Sequence, residues 1–322
     1  MVGYAGMTPQ RPLGGVRPGF VRWIERESVF KWIPFVPVQG LFFVLLLPNV
    51  LLLVYLSLLS WRITRGAWWN APFTGFDSFV LALSDERFLW AMGRTFAFAA
   101  VAVPVEVVLG FGLAVLCRDA FRGRRVYGTI FIVPMMIVPA VVGYDLSMLL
   151  IDQGPFNQVL SLLTGRTITV RWLSDYTAAK VAVIGADVWQ WTSLMFLIFL
   201  SGLSGLPQDP IRAARVMGAT RWQVFRYVEL PLLKPVIAIA LILRSMEALK
   251  IFDSPMLLTQ GGPGNSTETI AIYLWRVGWE FARVSHAAAM SLILLLVVGL
   301  YITVAIRILR RERRRLAEEA PA

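Results

Sequence analysis

Apolar residues run along this chain in long unbroken blocks, without the alternation of a half-buried strand or the three-and-four spacing of a half-buried helix. A helix needs roughly 20 apolar residues to cross hydrocarbon. Six blocks reach that length: residues 40–60, 88–117, 126–150, 179–204, 232–253 and 286–309. The pattern predicts an all-α membrane protein with six spans. Pro48, Pro104, Pro134 and Pro139 fall inside blocks. Breaks of that kind are tolerated where neighbouring helices or cavity water satisfy the freed carbonyls, so a packed bundle is expected rather than separate anchors. The first 34 residues hold no apolar run, so no cleaved leader is expected and the first block serves as the insertion signal.

Composition agrees. Apolar residues make up 57% of the chain and charged residues 16%, against about 25% charged in soluble proteins. The formal charge of +11 would suggest a nucleic-acid partner in a soluble protein, but here the basic residues track the spans. Twenty of the 31 sit in alternate segments: Arg11, Arg17, Arg22, Arg26 and Lys31; Arg118, Arg122, Arg124 and Arg125; Arg212, Arg215, Arg221, Arg226 and Lys234; Arg307, Arg310, Arg311, Arg313, Arg314 and Arg315. The opposite segments hold only Arg62, Arg65, Arg87, Arg166, Arg171, Arg276 and Arg283. The positive-inside rule then places both termini in the cytoplasm and removes the case for nucleic acid. The expected layout is a cytoplasmic segment over residues 1–39, a six-span domain over 40–309 and a basic tail over 310–322. Residues 17–35 mix Phe20, Trp23, Ile24, Phe30 and Trp32 with basic residues, which fits either an interfacial amphipathic helix or a basic flank with belt aromatics.

The cytoplasmic loop at 205–231 is polar and well punctuated. Asp209 reads as an N-cap, Pro210 suits the first helical position, and a short helix over 211–217 closes at Gly218. A second short helix is expected over 221–228, before Pro231. Neither can cross a membrane, so their use must be contact with cytoplasmic matter or headgroups.

Here the sequence resembles a known family. Ala213 and Ala214, then Gly218, then Leu230 and Pro231 are similar to the EAA…G…LP motif in membrane subunits of binding-protein-dependent ABC importers, specifically the carbohydrate type. Further matching pieces are Gly154, Pro155, Phe156 and Asn157; Trp172, Leu173, Ser174 and Asp175; Trp189, Gln190 and Trp191; Arg244; Phe252 and Asp253; and Thr259 to Gly264 followed by Ser266, Thr267 and Glu268. The resemblance implies a type I six-helix transmembrane domain in the cell (inner) membrane that carries no catalysis of its own. It implies a second homologous permease, two copies of a cytoplasmic ATPase that bind ATP and Mg, and an extracytoplasmic solute-binding protein or lipoprotein. ATPase contact is expected at Asp209, Pro210, Arg212, Ala213, Ala214, Gly218 and Ala219, where small residues permit close approach. Arg212 stands where the motif usually has Glu, and Met217 where Asp is common before the glycine, so no salt bridge is carried over. The resemblance also assigns Gly261, Gly262, Pro263 and Gly264 to binding-protein contact, with the glycines giving a flexible surface.

Ionisable residues at membrane depth usually face a cavity or each other. Arg244, Glu247, Lys250 and Asp253 recur at steps of three, which suits pairing along one helix as well as it suits cavity lining. Asp187, Gln190 and Trp191 share a helical face; a carboxylate, an amide and an indole are the groups a sugar needs, although Trp189 and Trp191 also fit an aromatic belt. With Tyr144, Asp145, Arg244 and Glu247 they make up the expected substrate path. An ion-coupled transporter relaying protons through Glu106, Asp145 and Asp187 is the rival reading. It leaves the capped cytoplasmic loop unexplained and lacks an inverted repeat. No Walker motif occurs, and Gly261 to Thr267 lacks the GK[ST] ending of a phosphate loop. Cys117 and His286, each the single residue of its type, leave no disulfide, nucleophile-base set or zinc cluster.

Overall fold

The computed structural model describes residues 27–119 and 121–318, so most of the expected interfacial segment at 17–35 lies outside the described residues. The chain divides into two compact units, Met1–Tyr55 and Leu56–Ala322. The first contains most of α1 (Glu27–Ser57), whose part from Val36 to Ser57 is long and apolar enough to span a membrane.

In the second unit, a single antiparallel bridge between Leu59 and Phe73 closes the first loop, and α2 (Asp77–Leu83) leads to α3 (Glu86–Leu116). Then follow α4 (Arg124–Met136), α5 (Pro139–Leu149), α6 (Pro155–Thr164) and α7 (Tyr176–Ser204). The 205–231 loop holds α8 (Gln208–Val216) and α9 (Arg221–Val224), and a π turn (Phe225–Glu229) runs directly into α10 (Leu230–Ala248). Short helices α11 (Asp253–Thr259) and α12 (Ile270–Trp275) precede α13 (Val284–Glu318).

The long helices start where their caps dictate. Asp85 accepts the N–H groups of Arg87 and Phe88 at 2.9 and 3.2 Å, opening α3. Asp175 does the same for α7, from Thr177 at 2.9 Å and Ala178 at 2.8 Å. These N–H groups, Ala178's first, hold the Asp175 carboxyl below its ordinary value. The two helices cross tightly at Gly110: a Cβ there would lie 2.4 Å from Met195 Cβ. Small residues are the usual means of bringing membrane helices together, because lipid gives apolar side chains no drive to associate.

Two expected spans are corrected. Residues 126–150 are not one helix: α4 and α5 meet at a 94° bend. Pro139 is the first residue of α5 and drives Val138 to extended backbone, φ −61 and ψ 132. The Ile137 carbonyl freed by the break accepts from Gln190 Nε2 at 2.7 Å. Likewise α10 ends at Ala248 and does not reach 253. The Ile251 carbonyl turns away to accept from Thr269 Oγ1 at 2.9 Å, and Asp253 opens a separate helix. That helix lies close against α5, since a Cβ on Gly143 would come within 2.6 Å of the Ser254 carbonyl.

Candidate functional site

Three long helices bring ionisable groups together in the bundle. Arg244 of α10 donates to Glu106 of α3 through Nε at 2.6 Å and Nη2 at 2.8 Å, and Nη2 also donates to Asp187 of α7. Arg244 is 1% exposed and Glu106 is fully buried. The guanidinium also stacks 5.0 Å from the centroid of the Trp191 ring. Of the residues spaced at steps of three, Glu247 pairs with Lys250, just beyond the end of α10, at 2.9 Å and exposed; Arg244 pairs across helices instead. Burying a charge costs several kcal/mol unless it is paired and hydrogen-bonded, and here each partner comes from a different helix.

Beside this cluster lies a cavity of about 350 Å³ walled by Asp187, Gln190, Trp191, Arg244, Glu247, Lys250, Asp253 and Ser254. Ser254 Oγ is buried there and has no hydrogen-bond partner among the described residues. Five of the expected path residues therefore share one cavity. Their roles are more structural than the sequence suggests: Asp187 is taken by Arg244, Gln190 holds the broken span, and Trp191 has Arg244 on one ring face. Asp145 is elsewhere, on an apolar cavity of about 670 Å³ with Phe156, Trp172 and Trp189. Tyr144 is exposed and lines neither cavity. Glu106 and Asp187 are clasped by one arginine, while Asp145 shares no cavity with them, so the three do not form a relay.

The loop after α11 is held firmly. Gly261 and Gly264 have φ +78 and +52, conformations that favour glycine. A Cβ on Gly264 would sit 2.5 Å from the Tyr176 hydroxyl. Thr267 Oγ1 donates to the Gly262 carbonyl at 2.8 Å. Behind the loop, the fully buried carboxylate of Glu268 accepts from Arg87 Nε and Nη2 at 2.9 and 2.8 Å and from Arg276 Nη1 at 2.5 Å. Arg94 Nη2 stands 3.6 Å away. The glycines thus allow the backbone conformations and the close approach to Tyr176 that this loop adopts. Sequence reasoning missed this cluster, although Arg87 and Arg94 lie seven residues apart on one face of α3, a spacing that could have pointed to a common partner.

Asn157 ties α6 to the segment that follows it. Its Nδ2 donates to the Asp152 and Val170 carbonyls, both at 2.9 Å, and its Oδ1 accepts from Trp172 Nε1 at 3.0 Å and Val170 N at 3.3 Å.

In the 205–231 loop the cap differs from expectation. Pro207 occupies the N-cap position without a side-chain bond, and Asp209 and Pro210 lie inside the first turn. Proline leaves no N–H to satisfy, and Asp209 still faces the positive end of the helix dipole. Gly218 closes α8 as expected, with φ +85, Gly218 N donating to the Arg215 carbonyl and Ala219 N to the Ala214 carbonyl, each at 3.0 Å. Ile211 and Ala214 face inward, into a core with Ala114, Leu203, Val224 and Leu233. Arg212, Ala213, Val216 and Met217 face outward. Ala214 therefore packs on its own chain and is not available to a partner surface. The second short helix, capped by a Thr220–Gln223 box, continues through the π turn into α10. There Glu229, buried, receives both Nη groups of Arg118, and this carboxylate holds the Arg118 guanidinium above its ordinary value. That pair was also not foreseen.

Residues 78–317 match the family model described as binding-protein-dependent transport system inner membrane component. Among curated proteins, the chain is 38% identical to the probable ABC transporter permease protein y4oQ of Sinorhizobium fredii, over 74% of this chain and 76% of that one. It is 37% identical to the trehalose/maltose transport system permease protein MalF of Thermococcus litoralis, over 62% and 68% respectively. A 29% match to the sulfoquinovosyl glycerol transport system permease protein SmoG of Agrobacterium fabrum covers 91% and 94%. Among solved structures, a bacterial ABC transporter involved in the import of the acidic polysaccharide alginate superposes with a TM-score of 0.76 at 22% identity, covering 91% of this chain and 99% of that one.

Proposed function

The chain belongs to the family of binding-protein-dependent transport system inner membrane components, and from that premise we propose that it is the sugar-conducting permease subunit of an ATP-driven importer. Curated relatives named for trehalose and maltose and for lactose support a carbohydrate or polyol as cargo. A separate ATPase, two copies of it, binds ATP and Mg and docks on α8. A second, homologous permease completes the pore, and an extracytoplasmic solute-binding protein delivers cargo at the loop of Gly261, Gly262, Pro263 and Gly264. Both termini lie in the cytoplasm.

The observation that carries this reading is the two-sidedness of α8. Ile211 and Ala214 are packed into the bundle core while Arg212, Ala213, Val216 and Met217 stand outside it. A rigid helix capped at Gly218 converts a push on its outer face into movement of that core. Cargo passes the cavity beside Arg244. There the unpartnered Ser254 hydroxyl, the free face of Trp191 and the exposed Glu247 and Lys250 supply hydroxyl-binding chemistry.

The test is uptake into proteoliposomes by the whole assembly. Transport that collapses with vanadate and survives a protonophore supports the proposal; the reverse pattern sinks it. ATPase stimulation across a panel of sugar-loaded binding proteins then identifies the cargo, and equal stimulation by every member would remove the sugar assignment.

A further inference from the structure

Two helices of the bundle are joined by ion pairs at two depths, and the pairs have opposite sense. In the interior the acid, Glu106, is on α3 and the base, Arg244, on α10, with contacts of 2.6 and 2.8 Å. At the cytoplasmic end the base, Arg118, follows the last turn of α3, and the acid, Glu229, ends the π turn that opens α10; the contact is again bidentate. From Glu106 to Arg118 is about 18 Å at 1.5 Å per residue. Both acids are buried, 0% and 2% exposed.

Apolar contact between the same helices is split in two: near the cytoplasmic end Ala114 shares a core with Leu233 and Ala240. Ala99 and Val103 meet Ala248 and Leu249, and a cavity of about 560 Å³ opens between α3, α10 and α13. Helices in lipid gain little from apolar association, whereas removing one partner of a buried ion pair leaves an uncompensated charge and is costly. The Arg118–Glu229 clasp sits at the π turn. A π turn is one of the places where a helix kinks, so a displacement entering through α8 and α9 would bend the chain at residues 225–229 before reaching α10 unless that turn is held. Arg118 grips the last residue of that turn, and the Phe111 ring of α3 lies 5.9 Å from the Phe225 ring at its first residue.

We infer that the two clasps lock α3 and α10 into one body that moves with α8, so that Arg118, Glu229, Glu106 and Arg244 are positioning residues for the transport stroke. This rests on the reading of α8 as the ATPase contact.

The test uses the complete transporter, with its ATPase, in lipid nanodiscs. Spin labels are placed on cysteines introduced at the exposed Leu109 and Leu243, with Cys117→Ala as background. The α3–α10 distance distributions in nucleotide-free and ATP-trapped states should superimpose. A shift between states in an actively transporting complex overturns the inference and leaves the ATP-driven reading intact; absence of any ATP-dependent transport sinks that reading instead. In parallel, Arg118→Glu should lower the amount of cargo moved per ATP by about tenfold or more, as breaking a buried pair implies, while ATP hydrolysis persists. The exchange Arg118→Glu with Glu229→Arg should restore at least half of the ratio. An exchange variant no better than Arg118→Glu alone refutes the clasp, and if Arg118→Glu fails to assemble, the label distances decide.

Discussion

Replacing Glu268 with Gln isolates the charge at the arginine cluster, because the amide keeps the side chain's volume and one acceptor oxygen. The carboxylate accepts three close guanidinium bonds, from Arg87 and Arg276, with Arg94 slightly farther away. Charge-assisted bonds contribute about 1.5–3 kcal/mol each, and breaking a buried ion pair by removing one partner costs about 3–5 kcal/mol. The arginines are 35%, 21% and 16% exposed, so water recovers part of the loss and the lower end applies, about 3 kcal/mol. A chain of this length loses roughly 2 °C of melting temperature per kcal/mol, which gives a fall of about 6 °C. Cys117 makes the measurement direct. It is 2% exposed, so a thiol-reactive fluorophore added to detergent-solubilised protein reports unfolding of the core around it. A shift below about 2 °C would mean that Glu268 is not holding the three arginines.

Three further outcomes follow from packing and caps. Gly110→Ala forces α3 and α7 apart, since the new Cβ meets Met195 and Phe196 backbone at 2.9 Å or less; a loss of about 2–3 kcal/mol is expected, seen as a falling yield of monodisperse protein on size exclusion. Gly218→Asp puts a branched carboxylate at φ +85 and should uncouple transport from ATP hydrolysis while membrane insertion stays intact, measured as cargo per ATP; wild-type transport would remove the lever role of α8. Asn157→Ala leaves the Asp152 and Val170 carbonyls and the Trp172 indole without their partner and should cost about 2–3 kcal/mol, read as faster proteolysis within residues 150–175 with the spans still intact.

The sequence disclosed what depends on composition and local chemistry. Five of the six blocks reappear as apolar helices or as a broken pair. The remaining block, 232–253, reappears as the helix α10, but with Lys234, Arg244 and Glu247 in it that helix is not among those long and apolar enough to cross a membrane by length and composition. The closure at Gly218 was readable because a glycine after a short polar helix has one common use. Asp209 was misplaced because a Pro-initiated helix leaves no obligatory side-chain cap, so the first turn slid by two residues. What stayed hidden joins residues far apart in the chain. Arg244 and Glu106 are 138 positions apart, and Arg87 and Glu268 are 181 apart. Periodicity along α10 offered Glu247 as the nearer partner for Arg244, and only the crossing of three helices shows why it lost. Gln190 looked like a sugar ligand for a related reason: the carbonyl it serves became available only when Pro139 broke the preceding span.

Ala213 and Ala214 are neighbours with different masters. One methyl is sealed inside its own bundle against Leu203 and Val224, and the other stands in the open beside Arg212. Across a set of orthologues the two columns should therefore drift on separate clocks. Changes at 214 should be accompanied by compensating changes within this chain, and changes at 213 by changes in a protein encoded by another gene. Two adjacent letters would then record two different evolutionary histories.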